Sequence, residues 1–264
     1  MLGIEKYYEG YDEDSRLIKD NSHKVEFITT THILDEKIKA GSKILDVGAG
    51  TGRYSSYYFN RGNKITALDI VPKNVEIMKE KLKAVESENL EIKLGDAKDL
   101  SLFESNTFDV VLCLGPMYHL LNYEDQIKCI DECLRVLKPD GILAVAYINR
   151  YAQYVIHISR DKDYINDGFL KNIVDCGVEY GDDRDCFYFS TYDEIEEMMT
   201  KFKVKKLDHV GTDGIVHMMR DNINSLDEDE FAKWLDYHFK TFRKPSLIGY
   251  SLHNLYVCKK DSIL

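Results

Sequence analysis

Apolar residues in this chain fall into short runs that alternate with amphipathic segments, and the alternation persists well past position 100. Lys43 to Val47 reads as a strand, Arg53 to Asn60 as a helix stopped by Arg61-Gly62, and Lys64 to Leu68 as a second strand ending in Asp69. Pro72 opens a helix at its first turn, with Val75, Met78, Leu82 and Val85 recurring at helical spacing. Leu90 to Leu94 is a third strand. Phe108 to Leu114 is a fourth, nearly continuous in apolar residues, as in a parallel strand covered on both faces. The next helix, Tyr123 to Leu137, carries Ile127, Ile130, Leu134 and Leu137 on one side. Lys138-Pro139-Asp140-Gly141 stops it and turns into a fifth strand, Ile142 to Ile148.

Strands that alternate with helices at this spacing imply βαβ units with right-handed crossovers. The expected fold is α/β: a doubly wound, mostly parallel seven-stranded sheet with helices on both faces. Beyond Asn149 the pattern loosens. Residues 151–190, rich in Tyr, Asp and His, hold a predicted helix around Gly168 to Cys176. Tyr192 to Phe202 is an amphipathic helix capped by Thr191 or Ser190, and Val204 to Val210 and Tyr250 to Lys259 complete the sheet. Residues 214 to 245, with Trp234, make a second polar, helical excursion. A compact domain has little use for two long structureless loops, so both are expected to fold as a cap. The reading is one domain: an N-terminal lid arm over 1–35, a core over 40–150, cap insertions at 151–190 and 212–247, and sheet completion by 191–211 and 248–264.

Composition narrows the class. The 264 residues are 44% hydrophobic, enough for one large α/β core, and no apolar run approaches the roughly 18–20 residues of a membrane span. The start, MLGIEKYYEGYDEDSR, is acidic and aromatic rather than basic and then apolar. A formal charge of −11 argues against sequence-independent nucleic-acid binding. The expectation is a soluble, cytoplasmic protein with neither nucleic acid nor membrane as partner. Cys113, Cys129 and Cys133 sit in apolar patterns, and the six cysteines include no CxxC pair, so neither zinc nor disulfides are expected.

The chemistry concentrates in KILDVGAGTG, residues 43–52. Gly48, Gly50 and Gly52 allow a tight strand-to-helix turn and let a ligand approach the backbone, and the following helix offers free N–H groups. The spacing is GxGxG, whereas a dinucleotide pyrophosphate is met by GxGxxG. Asp46, just before the turn, would repel a pyrophosphate and suits a cation. In open α/β sheets ligands bind at the carboxyl ends of the strands, so the next strand ends are informative. Asp69 is placed to accept both hydroxyls of a ribose. Asp96 is placed to accept from an adenine amino group, with Ile70 and Ala97 as apolar walls. Leu114-Gly115-Pro116-Met117-Tyr118-His119 would face the reactive end of the ligand.

Over residues 40–150 the segments LDVGAGTGRYS, ALDIVP, LGDAKDL, FDVVLCLGPMYHL and RVLKPDGILAV resemble the successive motifs of class I S-adenosylmethionine-dependent methyltransferases. The resemblance implies a Rossmann-like fold whose cofactor-binding core takes S-adenosylmethionine and releases S-adenosylhomocysteine. It implies cofactor contacts from Asp46, Gly48, Ala49, Gly50, Tyr54, Asp69, Ile70, Asp96, Ala97, Leu114 and Gly115. GPMYHL, the tyrosine-rich N-terminal arm and the Ser251-Leu252-His253 segment resemble a bacterial small-molecule subgroup. The fourth-strand segment has neither the Asp/Asn-Pro-Pro-aromatic motif of amino-methylating nucleic-acid enzymes nor the Pro-Cys pair of cytosine C5 methylation.

The function so implied is methyl transfer to an O, N or S atom of a small-molecule acceptor by in-line displacement. The sulfonium carries the activation, and the protein aligns the nucleophile and excludes water. His119 is the first candidate base, with Tyr118 orienting the acceptor. Tyr8 and Tyr11, with Tyr7, are expected over the cofactor or against the acceptor, and Met117 and His253 on the substrate side. Asp182, Asp183 and Asp185 read as a solvated acidic loop, and no metal is required. The alternative reading is a non-catalytic S-adenosylmethionine sensor or partner subunit. A nicotinamide-dependent oxidoreductase is disfavoured by the early third glycine and by Asp46.

Overall fold

The seven strands form a single sheet in the computed structural model, which describes residues 3–82 and 88–262. Val85, expected on a helical face, lies outside those residues. In chain order the elements are α1 (Gly3–Gly10), α2 (Asn21–Asp35), β1 (Lys43–Val47), α3 (Arg53–Phe59), β2 (Lys64–Asp69), α4 (Pro72–Leu82), β3 (Leu90–Leu94) and β4 (Phe108–Cys113). After a short 3₁₀ turn at Pro116–His119 come α5 (Tyr123–Val136), β5 (Leu137–Ile148), α6 (Arg150–Arg160), α7 (Gly168–Cys176), α8 (Tyr192–Met199) and β6 (Val204–Gly211). The chain closes with α9 (Arg220–Asn224), α10 (Glu228–Thr241), α11 (Pro245–Ile248) and β7 (His253–Lys260).

The strand order is β3-β2-β1-β4-β5-β7-β6, with the first five strands parallel and β7 antiparallel to both its neighbours. This is the doubly wound, mostly parallel sheet expected. Side chains along β1 alternate between its two faces: Ile44 joins the cluster under α2, α3 and α4, while Leu45 and Val47 join the one under α5 and α8. Burial on both sides explains why the strands read as continuous apolar runs.

Two local readings change. Helix α5 ends at Val136, and Leu137 instead pairs with Phe108 as the first residue of β5. Its buried stripe is Cys129, Ile130, Cys133 and Val136, with Ile127 and Leu134 on the flank. The cysteines act there as small hydrophobes. The arm over residues 1–35 divides. Helix α2 belongs to the body of the domain, with Ile33 and Leu34 in the core beside the sheet and Val25 packed on Val216 and Ile223. Three consecutive threonines, Thr29 to Thr31, hide its periodicity, yet all three are buried. Asp20 caps this helix by accepting from the His23 N–H at 3.1 Å. Among the described residues no helix is long and apolar enough to cross a membrane.

The order of strands reverses between β1 and β4, which opens a crevice at their carboxyl ends. Gly48 follows β1 with φ +70°, and a Cβ there would lie 2.7 Å from the Pro116 ring. On the other side, a Cβ on Gly115 would lie 2.9 Å from the Gly48 carbonyl oxygen. The two loops therefore touch backbone to backbone. Gly48→Ala should cost about 2–4 kcal/mol in urea unfolding, from left-handed strain plus overpacking. Gly62→Ala, also at positive φ (+84°) but in open space, should cost only about 1 kcal/mol. Equal losses would show that the loop contact is not tight.

Candidate active site

A cavity of about 360 Å³ opens at the β1–β4 crevice, within the size range of small-molecule sites. Its floor is the glycine turn, Gly48 and Gly50, with Gly115 opposite. Strands β2 and β3 bring Asp69, Ile70, Asp96 and Ala97 to one side, and Tyr8, Tyr118 and His119 lie at the other end. A narrower recess of about 30 Å³ continues beneath the glycine turn, lined by Asp46, Ala49, Tyr54 and Leu114. Gly48, Gly50 and Tyr118 line both spaces.

Asp69 is the hub of this floor. Its Oδ2 accepts from the Gly50 N–H at 2.7 Å, and its Oδ1 accepts from the Val71 N–H at 2.8 Å and the Asn74 amide at 3.3 Å. A carboxylate has about four lone-pair sites, so these bonds leave roughly one, on Oδ2. The pair of ribose hydroxyls expected at Asp69 thus meets a carboxylate already committed to shaping the loop. Burial pushes its pKa up to about 6 despite those donors. Asp46 accepts from Ser55 Oγ at 2.6 Å, and burial, with the Asp69 charge adding to it, also pushes it up to about 6. Both acids face a site that would favour their ionised forms if it held a cation. Asp96 accepts from the Lys98 N–H at 2.9 Å, and Lys98 Nζ is paired with Asp125 at 3.0 Å.

The arm supplies residues that sequence reasoning missed. Glu13 lines both spaces, and Arg16 lines the recess. Arg16 Nε donates to Glu13 at 3.2 Å, and its Nη1 and Nη2 donate to Glu26 at 2.7 and 3.3 Å. The one sequence signal was the Glu13–Arg16 spacing of three, which points to a local pair and not to a cavity. Thr51 Oγ1 and Arg53 hold Asp14 at 3.0 Å each, Lys81 pairs with Asp14, and Lys73 Nζ donates to the Tyr8 carbonyl at 3.0 Å. These contacts clamp the arm onto α3 and α4.

At the far end, the Nδ1–H of His119 points at the Cys186 carbonyl oxygen (2.7 Å), and its Nε2 meets Tyr8 Oη at 3.1 Å. Burial pushes the imidazole down to about 4 and raises the Tyr8 phenol well above its ordinary value. Tyr118 donates to the Leu114 carbonyl at 3.1 Å. Cys186 and Asp185 arrive from the cap loop, and Asp185 accepts four backbone N–H groups, from Glu179 to Asp182.

Three expected substrate residues lie elsewhere. Met117 is 1% exposed and packs in the core with Cys113 and Cys129, because the 3₁₀ turn directs it inward. Tyr11 stacks on Tyr7 at 5.2 Å and borders a separate surface hollow with Lys73 and Asn74. His253 is held in a buried network, with Nδ1 2.6 Å from Asp213 and 3.4 Å from Glu26, and these two carboxylates raise its pKa against the effect of burial. In the same network Arg220 donates to His217 Nδ1 at 3.0 Å, so the ring proton sits on Nε2 and points at Asp213, also at 3.0 Å. That tautomer presents no lone pair to a cation between His217 and Asp213. Cys113 and Cys129 approach to 3.7 Å inside the apolar core.

Residues 45–145 match a family profile described as "Methyltransferase domain". The chain is 32% identical over 112 residues to a ubiquinone biosynthesis O-methyltransferase of Xanthomonas oryzae, covering 42% of this chain and 45% of that protein. It is 34% identical over 141 residues to a demethylmenaquinone methyltransferase of Bacillus cytotoxicus, covering 52% and 57%. The match thus spans about half the length of these curated relatives. Among solved structures, PH0226 of Pyrococcus horikoshii superposes with a TM-score of 0.61 at 18% identity, over 97% of this chain and 99% of that one. That likeness extends the shared fold across the arm and cap as well. Residues 45–145 thus match a methyltransferase domain, and over about half their length the chain is similar to S-adenosylmethionine-dependent methyltransferases, whose strand order its sheet shares.

Proposed function

We propose that the protein transfers a methyl group from S-adenosylmethionine to a small-molecule acceptor bound at the Tyr8–Tyr118–His119 end of the cavity. The observation that carries this reading is the charge of the cavity. Asp69, Asp96, Asp125, Asp185 and Glu13 line it, and among the described lining residues the one fixed cation, Lys98, is already paired with Asp125. A pyrophosphate would meet uncompensated negative charge, whereas a sulfonium nucleoside would be attracted. The donor set fits that ligand: a strand-end acid for the sugar, Asp96 with Ile70 and Ala97 for the base, and the glycine turn between them. Arg16 uses three of its five N–H groups on Glu13 and Glu26, which leaves two for the ligand's carboxylate.

When bound, the cofactor supplies an activated methyl group. The chain's own work is then to orient and exclude water. The clamped arm and the cap loop around Cys186 wall the acceptor end, and the quinone-pathway methyltransferases among the curated relatives agree with a small-molecule acceptor. The test is production of S-adenosylhomocysteine across a panel of phenols, alcohols, amines and thiols. Binding of the cofactor without transfer to any of them would favour a sensor.

Asp69→Asn should weaken S-adenosylmethionine binding by about 1–3 kcal/mol in a folded variant, through one charge-assisted contact and a loosened Gly50 loop. Calorimetry that finds unchanged affinity would remove Asp69 from the site. The pH dependence follows from Asp46 and Asp69, both pushed up to about 6 in the free protein. A sulfonium favours their ionised forms, so binding releases protons and affinity rises as pH rises from 5 to 7. The preference for S-adenosylmethionine over uncharged-sulfur S-adenosylhomocysteine should grow about 3- to 10-fold over that range. A flat or falling ratio would contradict the assignment.

A further inference from the structure

We propose that Tyr8 and His119 form one proton-accepting unit and that the acceptor it serves is a neutral hydroxyl compound. This rests on the methyl-transfer reading and names its substrate class. The His119 Nδ1–H is fixed on the Cys186 carbonyl at 2.7 Å, which leaves Nε2 unprotonated and facing Tyr8 Oη at 3.1 Å. The phenol therefore donates to the imidazole, and its own oxygen lone pairs remain for a donor in the cavity that both residues line. Tyr118 and Phe187 flank the His119 ring at 4.8 Å each, which holds it in that orientation.

The charged and titratable groups acting on the pair come from each neighbouring element: Tyr118, Glu13, Arg16 and Asp69 on Tyr8, and the Cys186 carbonyl on His119. Tyr8 sits on α1, so the unit is complete only with that helix in place.

In the step, the acceptor oxygen's lone pair takes the methyl carbon and displaces the electron pair of the carbon–sulfur bond onto sulfur. The acceptor's proton passes to Tyr8 Oη as Tyr8's proton passes to His119 Nε2. One positive charge leaves sulfur and one appears on the imidazole, so the net charge of the closed cavity is constant. Tyr8 touches the acceptor and relays the proton, and His119 behind it is the terminal proton acceptor.

The presence of this relay selects the acceptor. The oxonium formed when a hydroxyl is methylated is strongly acidic and must lose its proton, and Tyr8 backed by His119 Nε2 offers the path. A free amine needs no such partner, because its ammonium product keeps its proton. The carboxylates that line the cavity also disfavour an acceptor bearing an anionic group.

The experiment is histidine-selective ¹⁵N NMR on the full chain loaded with S-adenosylhomocysteine, with catechol and benzylamine as probes. His119 should show an Nδ1–H tautomer from pH 5.5 to 8, and Tyr8→Phe should move its Nε2 resonance. Catechol should shift that resonance and benzylamine should not. In turnover with catechol, Tyr8→Phe and His119→Gln should lower kcat about 100-fold with KM within about threefold, in keeping with loss of proton transfer. A proton on Nε2, a resonance unmoved in Tyr8→Phe or by catechol, or wild-type kcat in Tyr8→Phe would overturn the proposal. Failure of the wild-type chain to bind S-adenosylmethionine would instead sink the methyl-transfer reading, and the His119 tautomer and its shift in Tyr8→Phe, recorded also on the unliganded chain, would still test the pair.

Discussion

The backbone contact between the loops after β1 and β4 is the constraint on which the site depends. Gly48 and Gly115 meet with no room for a side chain, and Pro116 closes against the same point. That contact fixes where the crevice opens, and it sets the glycine turn within reach of the β2 end. Asp69 then ties the turn down through Gly50 and Val71. A carboxylate used in this way is buried at a cost. The cost is tolerable if the site's ligand returns the favourable charge, which is the physical sense of an acidic cavity in this protein.

The arm extends that logic. Arg16 lines the recess beneath the turn, and it is held by two carboxylates from different segments, Glu13 on the arm and Glu26 on α2. Buried pairs of this kind contribute little net stability but fix geometry when fully bonded. Through Glu26 the pair is continuous with His253 at the start of β7 and, beyond it, Asp213 just after β6. The Tyr8–Tyr118–His119 end is built differently, from rings whose polar atoms are satisfied within the protein, and Asp125 and Asp185 line the same cavity. The proposed cationic cofactor suits that acidic lining.

The fold was legible because burial on both faces of a parallel sheet forces long apolar strands, and Lys43–Val47 and Phe108–Cys113 are of that kind. The strand-end residues were legible for a related reason, since topology alone sends Asp69 and Asp96 to the same edge. Helix α2 was not, because Thr29 to Thr31 satisfy their burial through packing and hydrogen bonds that polarity scales count as exposure. Arg16 and Glu13 were hidden in an acidic run whose partners lie in distant segments. Met117 and His253 show the converse: residue type suggested a pocket, and the turn geometry and a buried carboxylate took each of them elsewhere. Side-chain direction after a strand end is a tertiary property, and the pattern of residues carries little of it.

The central claim is that the first βα turn holds a positively charged nucleoside and not a diphosphate. Titration calorimetry of the wild-type chain with S-adenosylmethionine and, separately, with NAD measures it directly. Saturable one-to-one binding of S-adenosylmethionine and no heat of binding from NAD are expected. Saturable NAD binding, with S-adenosylmethionine silent in the same folded sample, would contradict it.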